Sequence, residues 1–158
     1  MVGSLPSTDQ IWAWLEEVAD PEIPVISVVD LGIIRDVQWK NDELLVTVTP
    51  TYSGCPATEV IARDIRAALT EHGLENVRLE TQLFPPWTTD WISEKGREQL
   101  RDYGIAPPAN GLVQIENVAC PRCRSIDTEM VSRFGSTPCK AIYKCRACLE
   151  PFDAFKRH

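Results

Sequence analysis

Two Cys-x-x-Cys pairs, Cys120-Pro121-Arg122-Cys123 and Cys145-Arg146-Ala147-Cys148, constrain this chain more tightly than any other feature. Each pair presents two thiolates from a tight turn, and two such turns facing across a small β-ribbon complete a tetrahedral four-sulfur site. The 21 residues between the pairs slightly exceed the usual spacing, a matter of loop length that leaves the ligand geometry intact. Five of the six cysteines fall in the last 39 residues, too short a stretch to build a sufficient core unaided.

Metal is preferred to disulfides as the staple. Residues 1–10 lack the basic and apolar regions of a secretion signal, so a cytoplasmic setting with reduced thiols is expected. The expectation is a structural zinc ribbon. Iron in a similar four-sulfur site, or a cluster that also uses Cys139, satisfies the same tetrahedral chemistry; Cys139 otherwise reads as a strand residue.

Charge divides the chain. Residues 1–119 carry 8 Lys and Arg against 19 Asp and Glu, whereas residues 120–158 carry 8 against 4. Two modules are implied, and the acidic first one argues against nucleic acid as its partner. No apolar run is long enough for a membrane span.

In the first module, Ser7-Thr8-Asp9-Gln10 has the form of a capping box, and Ile11, Trp14, Leu15 and Val18 predict a helix to about Ala19. Asp20-Pro21-Glu22-Ile23-Pro24 is a stiff acidic loop, and Asp30-Leu31-Gly32 a second turn. Ile33 to Thr49 reads as a hairpin about Asn41-Asp42, its second strand half-buried by alternation. A helix follows from Pro56 to about His72, stopped by Gly73, and a strand from Val77 to Leu83.

The fold class is therefore α+β: a small α-β-β-α-β domain with helices on a three-stranded sheet, then a β-rich zinc ribbon. The boundaries read as 7–104 for the first domain, 105–117 for a linker and 118–158 for the ribbon. Ser93 starts a further polar helix that Gly104 stops, and the tryptophans of Pro85-Pro86-Trp87-Thr88-Thr89-Asp90-Trp91 are expected to pin their loop to a core.

Cys55 lies where strand passes into helix, between Gly54 and Pro56. Unbonded N–H groups and the helix dipole favour a thiolate there, the form that binds metal or attacks. A small cysteine filling the junction is the plainer alternative. An enzyme using Cys55 as nucleophile needs a base; only His72 and His158 are available as histidines, with Glu22 or Asp30 as carboxylate substitutes. The paired Glu-x-x-His pattern of a di-iron bundle is missing from the sequence.

Asp20-Pro21-Glu22, Asp30-Leu31-Gly32 and Thr49-Pro50-Thr51 leading to Gly54-Cys55-Pro56 resemble, in order and spacing, the signature of the SufT-like iron-sulfur assembly family over residues 8–84. With TPTYSGCPATE, PPWTTDW and the cysteine-rich tail, nearly the whole chain resembles the PaaD family, encoded with the phenylacetyl-CoA epoxidase system. The resemblance implies an accessory or maturation component that passes an iron-sulfur cluster to a client such as the system's reductase. A directly participating, non-oxygenating component of the epoxidase is the other role it allows.

By position, Cys55 matches the family's reactive or cluster-binding cysteine, Glu22 and Asp30 its acidic motif, and Thr51 the threonine upstream. Cys120, Cys123, Cys145 and Cys148 match its zinc-ribbon tail. One thiol cannot hold a cluster that usually takes four, so the resemblance also calls for a homodimer or a complex with the client.

Overall fold

The computed structural model describes residues 3–51, 57–108 and 118–156. Cys55 lies outside the described residues. The chain forms two compact units, Met1–Trp87 and Thr88–His158.

In the first unit, helix α1 spans Thr8–Leu15. Its capping box is formed: the Gln10 N–H donates to Ser7 Oγ at 3.2 Å and the Ser7 N–H to Gln10 Oε1 at 3.1 Å. The helix is shorter than its apolar periodicity predicts, because residues 18–20 pair with 26–28 instead. Val28 N–H donates to Val18 O and Asp20 N–H to Ile26 O, each at 2.9 Å. Pro21 disfavours helical backbone only at Asp20, and it is the pairing of Val18 with Val28 that ends the helix before that point.

Strands β1 (Ile34–Lys40) and β2 (Glu43–Val48) form the expected antiparallel hairpin, with Asn41 at φ 57° in the turn. Helix α2 (Ala57–Glu71) buries Ala57, Ile61, Ile65 and Leu69 on one stripe. It ends in a Schellman motif: Leu74 N–H donates to Leu69 O and Gly73 N–H to Thr70 O, with Gly73 at φ +85°. Strand β3 (Val77–Thr81) then pairs parallel to β2, giving the order β1-β2-β3. As the central strand, β2 is buried on both faces, beyond the half-burial its alternation predicts; Thr47 and the following Thr49 are buried with the apolar residues.

The second unit begins with a 3₁₀ turn at Thr89–Trp91 and helix α3 (Glu94–Asp102), capped by Ser93 Oγ, which accepts from Gly96 N–H at 2.9 Å. Gly104 follows at φ +92°. Strands β4 (Ile105–Ala106), β5 (Thr128–Ser132), β6 (Lys140–Cys145) and β7 (Pro151–Phe155) form one sheet in the order β4-β7-β6-β5. Its core gathers Ala106, Cys120, Cys145, Phe152 and Ala154, and Tyr143 stacks on its cross-strand partner Phe152.

The division at Trp87 differs from the boundary read from the sequence. Helix α3 joins the second unit, and Ile105–Ala106, at the head of the segment read as a linker, is a sheet strand beside β7. Arg97 supplies the tie: its guanidinium donates to Thr89 O at 2.7 Å and to Pro108 O.

Candidate metal centre and acidic motif

The two cysteine turns are built alike. Cys120 N–H donates to Ser125 O at 2.9 Å, and Cys145 N–H to Glu150 O at 3.0 Å, the same five-residue closure in each. The residue after each second cysteine, Arg124 and Leu149, is left-handed at φ 66°. Neither is glycine, so each turn carries a backbone cost of about 1–2 kcal/mol that the closed site must offset. This matched conformation could not be read from the sequence, because the usual signal for a left-handed position is glycine.

Strand β6 ends at Cys145, the β6–β7 turn supplies Cys148, and the segment before β5 supplies Cys120 and Cys123. Their four Sγ atoms lie within 4.8 Å of one another. Cys120 and Cys148 sulfurs are 3.7 Å apart, Cys123 and Cys145 sulfurs 3.5 Å. Four sulfurs about 2.3 Å from a tetrahedral zinc would stand about 3.8 Å apart, so the donor set fits the ion. A disulfide requires about 2.05 Å and is not formed.

Electrostatics within the cluster is uneven. The Cys148 backbone N–H is the main influence lowering the Cys145 thiol to about 7, and it lies 3.4 Å from Cys145 Sγ. For Cys148, the Glu150 N–H pulls downward, but burial and the neighbouring sulfurs outweigh it and push the thiol up to about 12. Four thiolates this close repel, and a bound cation reverses that balance.

Cys139 stands apart from this group. It is buried, with its Sγ 3.0 Å from Thr137 Oγ1, and about 20 Å of extended strand separates it from Cys145.

In the first unit, Asp20 rather than Glu22 holds the acidic loop. Its Oδ1 accepts from the Glu22 and Ile23 N–H groups, each at 2.9 Å, an Asx turn that the Asp-Pro dipeptide signals. Glu22 is half-buried. Asp30 is buried and exchanges hydrogen bonds with Ser27: Ser27 Oγ donates to Asp30 Oδ2 at 3.2 Å and accepts from Asp30 N–H at 3.0 Å. Both arrangements shape turns.

The Asp30 turn is connected to the strand end that leads toward Cys55. Thr49 N–H donates to Ile33 O at 2.8 Å, and Trp87 Nε1–H donates to Leu31 O at 3.0 Å. Half-buried Thr51 lies two residues beyond. Thr49 Oγ1 is buried without a hydrogen-bond partner among the described residues, a feature sequence reasoning missed.

Residues 106–156 match the PaaD zinc beta ribbon domain, and residues 8–78 the iron-sulfur cluster assembly protein family. An Escherichia coli K12 protein named "Putative 1,2-phenylacetyl-CoA epoxidase", its D component, is 49% identical over 96% of this chain and 93% of its own. The chain belongs to the PaaD family.

The family's first domain has wider relatives. A Porphyromonas gingivalis protein named "Fe-S protein maturation auxiliary factor" is 36% identical, covering 61% of this chain and 92% of its own. A solved Bacillus anthracis domain of unknown function is 29% identical with a TM-score of 0.54, covering 58% of this chain and 89% of its own. Among the described residues, no helix is long and apolar enough to cross a membrane.

Proposed function

We propose that this protein is an accessory maturation component of a phenylacetyl-CoA epoxidase system, passing an iron-sulfur cluster to a client protein through Cys55. The observation that carries the reading is the division of the matches. The iron-sulfur assembly family covers the segment holding Glu22, Asp30, Thr51 and Cys55, while the ribbon match covers the four-cysteine group. The full-length likeness to the E. coli protein supplies the pathway.

The cluster is cargo. One Cys55 thiolate supplies one of the four sulfurs a cluster usually takes, and a second copy of the chain or the client supplies others. Delivery is ligand exchange: a client thiolate displaces the Cys55 thiolate, with no net change in electrons. Asp20 and Asp30 keep their turns in shape. The second turn leads into Ile33, whose carbonyl accepts from Thr49 N–H at the end of the strand that leads to Cys55. Glu22 and Thr51 border the cargo. The reductase is the preferred client. Cys120, Cys123, Cys145 and Cys148 hold a structural zinc ion, which supplies folding free energy rather than chemistry.

The test is anaerobic zinc, iron and acid-labile sulfide analysis of wild type beside Cys55→Ser, followed by transfer to the apo-reductase. One zinc per chain in both, with sulfide and transfer only in wild type, supports the reading. Equal client maturation by Cys55→Ser overturns it.

A further inference from the structure

Among the described residues nine large apolar side chains are exposed, and four of them, Ile126, Met130, Val131 and Phe134, fall within nine consecutive residues. Isolated exposures are ordinary, but a concentration of this kind marks an interaction surface. Met130 and Val131 lie on strand β5, an edge of the ribbon sheet, and Ile126 and Phe134 flank it on either side. A register shift between Met130 and Ser132 leaves Val131 as the extra residue of a bulge, a device that re-aims a side chain. Val131 is 62% exposed and Phe134 71%, the latter beneath Lys156 Nζ at 4.5 Å from the ring centroid.

The charge left unpaired around this stripe is positive. Its own acids are already engaged: Arg146 holds Asp127 at 3.4 Å and Glu129 at 3.0 Å. Arg124 and Arg133, both exposed, have no ion pair among the described residues. An apolar strip beside uncompensated cations favours a partner that brings apolar side chains and excess carboxylates.

We infer that the β5 edge of the ribbon is a docking surface for an acidic protein partner, Val131 and Phe134 acting as apolar anchors and Arg124 and Arg133 steering the approach. Nucleic acid fits less well, because Ile126, Met130 and Val131 offer no π-face for a base and two carboxylates lie in the stretch. A second ribbon fits less well, since it would oppose like charge to like. The inference rests on the reading that this protein serves a client, and it names the chemistry of that client's surface.

The experiment is selection of twelve-residue phage-displayed peptides on the zinc-loaded full chain. Peptides combining aliphatic or aromatic residues with excess Asp and Glu are expected. Their affinity falls about tenfold on Val131→Lys and on Arg133→Glu, and weakens with added salt, while zinc content and melting stay unchanged. Selected peptides without acidic excess, indifference to both substitutions, tighter binding of a single-stranded oligonucleotide at these residues, or a dimer that Val131→Lys dissociates would each overturn the inference. Cys55 is not one of the residues assigned to this surface. Selection failing while cluster transfer persists therefore sinks only this surface, and transfer failing with peptide binding intact sinks only the Cys55 reading.

Discussion

Trp87 donates its indole N–H to the Leu31 carbonyl at 3.0 Å, fastening the Pro-rich loop that ends the first unit onto the Asp30-Leu31-Gly32 turn. The ring is buried, so the contact joins apolar packing to a satisfied carbonyl. Trp87→Phe keeps most of the packing and strands the Leu31 oxygen, costing about 1–3 kcal/mol, whereas Trp87→Ala costs about 3–5 kcal/mol through the cavity it leaves. Urea denaturation measures both. Hydrogen exchange at Leu31 and Gly32 should quicken in each variant, and unchanged exchange would show that the loop does not brace the turn.

Arg97 performs the corresponding task in the second unit, where its guanidinium joins Thr89 O to Pro108 O. Burial lowers its pKa, against which Glu94 and Asp90 act by attraction. Lysine has one compact donor head and cannot reproduce the planar fork. Arg97→Lys is therefore expected to lose about 1–3 kcal/mol, with Arg97→Met at least as severe because two buried carbonyls lose their donor. Zinc content should remain one per chain in both variants; loss of metal would mean that Arg97 supports the cysteine site rather than the packing of α3.

The elements with strong local codes were legible in the sequence. Ser7 and Gln10 announce α1, Gly73 the end of α2, Ser93 the start of α3, and the two Cys-x-x-Cys pairs the sulfur cluster, because each signal acts over a few residues. The early exit from α1 was not legible: Val18 fits the helical stripe, and only its long-range pairing with Val28 removes it. The membership of α3 and Ile105–Ala106 in the second unit was hidden for the same reason, since it depends on Arg97 reaching Pro108 and on β4 meeting β7. In the candidate site, residue types were readable but roles were not, as Asp20 and Asp30 become turn-holders only once their N–H and hydroxyl partners are known.

Thr49 tests whether an orphaned hydroxyl near the strand end is kept for function. Its Oγ1 is buried without a partner among the described residues, and valine has nearly the same shape without the polar atom. Thr49→Val should leave stability unchanged or raise it by about 1 kcal/mol in denaturant titration. Cluster transfer by the variant should fall if the buried hydroxyl is kept for function rather than for stability. A variant more stable and equally competent in transfer would assign Thr49 to packing alone.

The four-cysteine group makes the strongest prediction about metal. Cys120 and Cys145 are fully buried and belong to the core of the second unit, so a ligand lost there is also a core residue altered. Structural zinc sites contribute on the order of 10 kcal/mol to folding, more than so small a sheet supplies from packing. Cys145→Ser should therefore bind no zinc and melt the second unit, while the first unit, compact by itself, keeps its own transition in calorimetry. The thiols must lose protons to bind the ion, so uptake releases protons and apparent affinity falls as pH falls, by about tenfold per pH unit for each proton released. Competition with a chelator across a pH series measures the slope. An affinity independent of pH, or full zinc occupancy in Cys145→Ser, would remove these thiols from the coordination sphere.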